Sequence, residues 1–201
     1  MEQVETFILN RYAASELAGA LILGKMARKT NDAYLRRQLT WHCAEEARHA
    51  AIWEGLIEEL NLKTLPIHDS SGKGYFTYFK EVKDMTDFLA FVHVYELRVP
   101  FHFGAHAKWT KSERIKEVLN KLIKEEDSHL SWIHDILLKE MENNREKVLT
   151  SLKKFSEIEE KSYQDDLHML KSVGGSALEF AQAIEDALHL YKGVFADGTF
   201  K

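Results

Sequence analysis

Apolar positions in this chain recur at spacings of three and four residues, the period of one face of an α-helix. Leu9, Tyr12, Glu16, Gly19, Leu23 and Met26 form one such stripe and predict a first helix over about residues 3–28. Leu35, Leu39, His42, Glu46, His49, Trp53, Leu56 and Leu60 predict a second over about 32–61. Phe88, Val92, Glu96, Val99, Phe103 and His106 predict a third over about 86–108. Ile115, Leu119, Leu122, Glu126, His129, Ile133 and Ile136 predict a fourth over about 111–141. Lys25, Arg28 and Lys29 suit the negative end of the first helix. Thr30 and Asn31 are candidate caps for the second, and Thr110-Lys111-Ser112-Glu113 reads as a capping box for the fourth. Residues 62–81 break the pattern with Pro66, a polar glycine-containing run and the aromatics Tyr75, Phe76, Tyr78 and Phe79. They read as a crossover along a bundle, with the aromatics packed on its surface.

Past residue 142, Asn143-x-x-Glu146 reads as a cap for a fifth helix to about 172, with Val148, Leu152, Phe155, Tyr163, Leu167 and Leu170 apolar. Gly174-Gly175 marks a break, and Ser176-x-x-Glu179 a second capping box. It opens a sixth helix through Phe180, Ile184, Leu188 and Tyr191, with an irregular tail from Gly193. The expected fold is all-α: a four-helix bundle over 1–142 with a long crossover between helices two and three, and a C-terminal helical extension over 143–201. The extension lies on the bundle or at a subunit interface.

Six seam positions are not apolar. Glu16, Glu46, His49, Glu96, Glu126 and His129 stand where leucine would be expected, and burying such groups is costly unless something satisfies them. They pair at one offset of 80 residues, 16 with 96, 46 with 126 and 49 with 129, as do Thr30 and Thr110. This is an internal duplication. Residues three apart on a helix share a face, so each Glu-x-x-His brings a carboxylate and an imidazole to one point. A glutamate from each of two helices, with a Glu-x-x-His from each of two others, is the donor set of a dinuclear carboxylate site. Carboxylate oxygens with one imidazole per metal suit two iron ions, with manganese or a mixed pair as alternatives. Glu16 and His49 would hold one metal, Glu96 and His129 the other. Glu46 and Glu126 would bridge metals about 3.5–4 Å apart.

Three further residues lie near this set. Tyr12 precedes Glu16 by one turn, His42 precedes Glu46, and His93 precedes Glu96. Each reads either as core or as a group acting at the metals. His42 has Leu122 as its duplicate, so it would make the two metals inequivalent. Glu45 and Glu125 either orient the ligand imidazoles or face solvent. Cys43 reads as a buried thiol, and Trp41, Trp53, Phe101 and Phe103 as packing. Pro100 cannot donate to the Glu96 carbonyl, which predicts a kink or unwinding there.

The net charge of −5 gives no reason to expect a nucleic acid or an anionic membrane as partner. A single cysteine excludes an intramolecular disulfide framework and any Cys-x-x-Cys metal knuckle. No apolar run approaches a membrane span, and the chain opens without a signal-like segment. The expected setting is cytoplasmic.

Glu45-Glu46-x-x-His49 and Glu125-Glu126-x-x-His129, with Glu16 and Glu96 on partner helices, resemble the ferritin-like di-iron carboxylate superfamily, and its rubrerythrin-like branch in particular. The resemblance covers residues 1 to about 142 and implies the six metal ligands named above. It implies an oxidoreductase using O2 or H2O2 as oxidase, peroxidase or oxygenase of a small organic substrate. The alternative is a ferroxidase and iron-storage protein of ferritin type. Rubrerythrins usually carry a cysteine-ligated iron domain that supplies electrons; with one cysteine this chain needs an external electron donor. A homo-oligomer is expected, a dimer for an enzyme and a large shell for storage.

Overall fold

The computed structural model describes residues 3–66 and 74–188. Every regular element among them is helical, with no strand. The chain divides into two compact units, Met1–Phe76 and Thr77–Lys201. Residues 67–73 of the expected crossover, Tyr191 and the tail from Gly193 lie outside the described residues.

The first unit is a helical hairpin of α1 (Gln3–Ala27) and α2 (Ala33–Glu59). The helices run antiparallel: Tyr12 meets Trp53 with ring centroids 5.0 Å apart, Gly19 lies beside Glu46, and Gly24 beside Cys43. The predicted stripe of α1 is buried throughout. In α2 the stripe is buried from Leu39 to Leu56. The cap of α2 is Asp32, neither Thr30 nor Asn31. Asp32 Oδ1 accepts from the Leu35 amide at 2.8 Å, and Thr30 Oγ1 accepts from the Asp32 amide at 3.1 Å. A carboxylate one residue further along reaches the first free amides, so it takes the capping role. Asn61, at φ 52°, ends α2 in the left-handed region that asparagine tolerates. Buried Asn10 then ties residues 62–66 to α1. Its amide donates to the Thr6 and Lys63 carbonyls at 2.8 and 3.1 Å and its Oδ1 accepts from the Leu65 amide at 2.8 Å.

Trp41 is not packing: it is 65% exposed. It lies on α2 between Leu39 and His42 of the buried stripe, on the solvent side. Cys43 is half-buried, its Sγ facing α1 at Gly24.

The second unit is built round α3 (Met85–Trp109). Residues 86–94 are buried without interruption, as befits a helix covered on all sides. A 3₁₀ helix, Tyr75–Glu81, leads into this unit, and its Phe79 meets Phe88 and Phe91 edge-on at 6.2 and 6.1 Å. Tyr75 is buried, while Phe76, Tyr78 and Phe79 are half-buried, so most of the aromatic run packs at the edge of the core, as expected. α3 remains helical through Pro100, so the unwinding expected at Glu96 is absent. One missing amide is one bond in a helix of 25 residues held by packing along its length.

α4 (Glu113–Val173) joins the expected fourth and fifth helices across a break at Asn144, whose φ of −134° and ψ of 41° are not helical. The break falls beside the predicted Asn143 cap. The arm over 113–143 and the arm over 145–173 both pack on α3. Thr86 donates to Glu140 at 2.5 Å on the first arm, and Phe91 meets Phe155 edge-on at 5.4 Å on the second. The C-terminal extension is thus, within its described part, integral to this unit. Ser112, the second hydroxyl of the predicted box, caps α4 by accepting from the Ile115 amide, while Thr110 Oγ1 accepts from the Ser112 amide at 3.2 Å. Thr30–Asp32–Leu35 recurs as Thr110–Ser112–Ile115, again 80 residues on. Gly174 and Gly175, at φ 76° and 53°, turn the chain into α5 (Ser176–Leu188). There Ser176 is the first helical residue, not the cap, and the carbonyls of Gly174 and Gly175 take the first amides. No described helix is long and apolar enough to cross a membrane.

Candidate metal centre

Both units bury two carboxylates beside one imidazole. In the first, Glu16 on α1 and Glu46 and His49 on α2 are 7%, 3% and 0% exposed. His49 Nδ1 lies 4.0 Å from Glu16 Oε2 and 3.9 Å from Glu46 Oε1. Gly19 makes room for this: a Cβ there would stand 3.0 Å from Glu46 Oε2. On the outer side of the imidazole, Nε2 lies 3.4 Å from Nη2 of Arg48.

In the second unit, Glu96 on α3 and Glu126 and His129 on α4 are buried to the same degree. His129 Nδ1 lies 3.9 Å from Glu96 Oε2 and 2.9 Å from Glu126 Oε2. Each unit therefore repeats one arrangement. A helix contributes a glutamate, its neighbour contributes Glu-x-x-His, and the Nδ1 nitrogen faces the oxygens of both. Buried Glu and His side chains of this set could hold a metal ion. The donor chemistry fits: two atoms each about 2.1 Å from one ion lie about 3–4 Å apart, which matches most of these separations.

Tyr12, His42 and His93 are also buried. Tyr12 packs on Trp53. His42 Nε2 stands 3.5 Å from Glu46 Oε1. His93, beside Glu96 in sequence but turned to the first arm of α4, has its ring centroid 6.0 Å from that of His134. Glu45 and Glu125 are both half-buried. Phe103 is core and Phe101 partly exposed.

A second polar cluster in the same unit escaped the sequence reading. Arg98, 4% exposed, pairs with Glu159 and Glu160 on the second arm of α4. Its Nη2 donates to Glu159 Oε2 at 2.6 Å and to Glu160 Oε2 at 2.7 Å. Its guanidinium lies 4.1 Å over the ring of Tyr163, whose hydroxyl is 2.9 Å from His102 Nδ1. Burial pushes the Glu159 carboxyl up to about 7 against the pull of Arg98. Burial also acts on Glu160, but hydrogen bonds from Gln164 and Arg98 outweigh it and hold that group below the usual range. Burial raises the Tyr163 phenol. Arg98, a cation inside the apolar stretch of α3, was the available signal. Glu159, within the acidic run 157–160, was not distinguishable from a solvated charge.

No family model, curated protein or solved structure matches this chain.

Proposed function

We propose that this protein is a di-iron carboxylate oxidoreductase that reacts with O2 or H2O2. Glu16, Glu46 and His49 together with Glu96, Glu126 and His129 are its metal ligands, in a ferritin-like bundle. The observation that carries the reading is the repeated half-site, in which each unit buries two carboxylates whose oxygens face one imidazole Nδ1. A soluble bundle has no packing reason to bury this set twice at one sequence offset, and buried carboxylates are retained where a cation or hydrogen bonds satisfy them.

On this reading the four glutamates neutralise two divalent ions. Glu46 and Glu126, each a turn from a ligand histidine, would complete the donor set for the two ions. Bound iron would supply a two-electron couple for reduction of O2 or peroxide. The protein's own part is to fix the imidazoles by Nδ1, to keep the carboxylates out of bulk water, and to flank each Glu-x-x-His along its own helix stripe with Leu39 and Trp53 or Leu119 and Ile133, none measurably exposed. Cys43 alone builds no iron–sulfur or rubredoxin-like centre within these 201 residues, so electrons would come from a donor outside them.

The deciding experiment is anaerobic loading with Fe(II), followed by stopped-flow absorbance after addition of O2 or H2O2 in parallel. Two irons per chain, oxidised by either reagent faster than free Fe(II), support the reading; failure to hold two irons overturns it. Faster oxidation by H2O2 assigns a peroxidase, and faster oxidation by O2 an oxidase or oxygenase. Sizing of the loaded protein separates these from storage, which requires a large hollow shell.

A further inference from the structure

We propose that His42 is a seventh metal ligand, so that the two metal positions are chemically unequal. The inference rests on the dinuclear reading and deepens it. The 80-residue duplication pairs the six ligands and the helix caps, but fails at one seam position: His42 is matched by Leu122. Both residues are sealed from solvent, at 1% and 0% exposure. Leucine in one copy means that packing alone does not call for a polar group there. Imidazole in the other copy carries a desolvation cost that polar chemistry has to offset.

The surroundings of His42 specify that chemistry. His42, Glu46 and His49 stand at i, i+4 and i+7 on α2, one face over two turns. His42 Nε2 lies 3.5 Å from Glu46 Oε1. That is longer than the roughly 2.7–3.2 Å of a good N–H···O bond and within the roughly 3–4 Å expected of two donors about 2.1 Å from one ion. His42 and Glu46 are also among the buried donors close enough to share an ion.

The consequence is a difference between the two ions. One gains an additional imidazole nitrogen and the other does not. Imidazole favours iron, whereas a carboxylate-rich position accepts manganese more readily. The two positions therefore fill in order, and the nitrogen-rich one takes iron first.

The test is an anaerobic titration of the full chain with ⁵⁷Fe(II), read by Mössbauer spectroscopy, on the wild type, His42→Leu and His42→Gln. Leucine copies the buried Leu122, and glutamine keeps a hydrogen-bond donor toward Glu46 while being a poor ligand. The expected wild type holds two irons with two resolved quadrupole doublets. In both variants one iron binds at least tenfold more weakly while the other keeps its affinity within twofold. If either variant keeps both irons at wild-type affinity, the ligand role is overturned; retention by glutamine alone would assign His42 to positioning Glu46. A single doublet in the wild type also overturns it, without touching the dinuclear reading. A wild type that fails to hold two irons overturns both. If the leucine variant does not fold, the glutamine variant and the wild-type spectrum decide.

Discussion

His129 Nδ1 stands 3.9 Å from Oε2 of Glu96, on the neighbouring helix. His49 stands at 4.0 Å from Glu16 in the other unit, through the same nitrogen and the same carboxylate atom type. The duplication thus extends from residue identity to the orientation of individual side chains. If Glu46 bridges two metals, Glu46→Ala removes a donor from both. Iron analysis of the loaded variant should find the dinuclear occupancy abolished, and two irons per chain in that variant would refute the ligand assignment.

Gly19 separates metal binding from folding. A methyl group there would sit 3.0 Å from Glu46 Oε2, so the carboxylate must shift. In a helix interior, alanine in place of glycine is otherwise favourable by up to about 1 kcal/mol. Gly19→Ala should therefore weaken Fe(II) binding severalfold without lowering the melting temperature of the metal-free protein. Parallel iron titration and calorimetry check the split; a metal-free protein that melts markedly lower would mean that the methyl disrupts the α1–α2 packing instead.

Glu159 makes stability pH-dependent. Its folded-state carboxyl is raised from 4.5 to about 7, by burial, with Arg98 opposing and Glu160 and Asp166 adding to the rise. The folded state then holds a proton that the unfolded chain releases. The associated stability is present below about pH 4.5 and is lost as pH rises through about 7, with a ceiling of about 3 kcal/mol. Glu159→Gln removes this titration. Relative to that variant, the wild-type melting temperature should fall between pH 5 and 8; parallel profiles would place Glu159 in its ionised form throughout.

Asn10 is expected to hold the segment after α2. Its side chain makes two donor bonds and one acceptor bond, two of them to residues 62–66. Asn10→Ala removes three part-buried hydrogen bonds and should cost about 1–3 kcal/mol, at roughly 0.5–1.5 kcal/mol for each. Hydrogen exchange at the Leu65 amide should accelerate in the variant, and an unchanged rate would show that the segment is held by other contacts.

The helices and the six candidate ligands were legible in the chain because both rest on local periodicity. Seam positions recur every three or four residues, and a charged residue on a seam stands out against its leucines. The duplication added a second, independent reading of the same residues, which is why Glu16 and Glu96 could be separated from the many other glutamates. The caps were read one or two residues early. Thr30 and Thr110 have suitable side chains, and the choice between neighbouring oxygens depends on backbone angles that residue type does not report.

The amino-acid sequence by itself determined the all-helical class, the faces that are buried and the matched Glu and His positions, since each follows from spacing along one helix. Only the tertiary structure decided what covers those faces. It left Trp41 in solvent, carried α3 unbroken past Pro100, and packed the C-terminal arm on α3 through Phe155 and Phe91. It also brought Arg98 to Glu159, a charge pair 61 residues apart. Periodicity names the side of a helix that leaves water, but the partner on that side comes from elsewhere in the chain, and its identity depends on how whole helices pack.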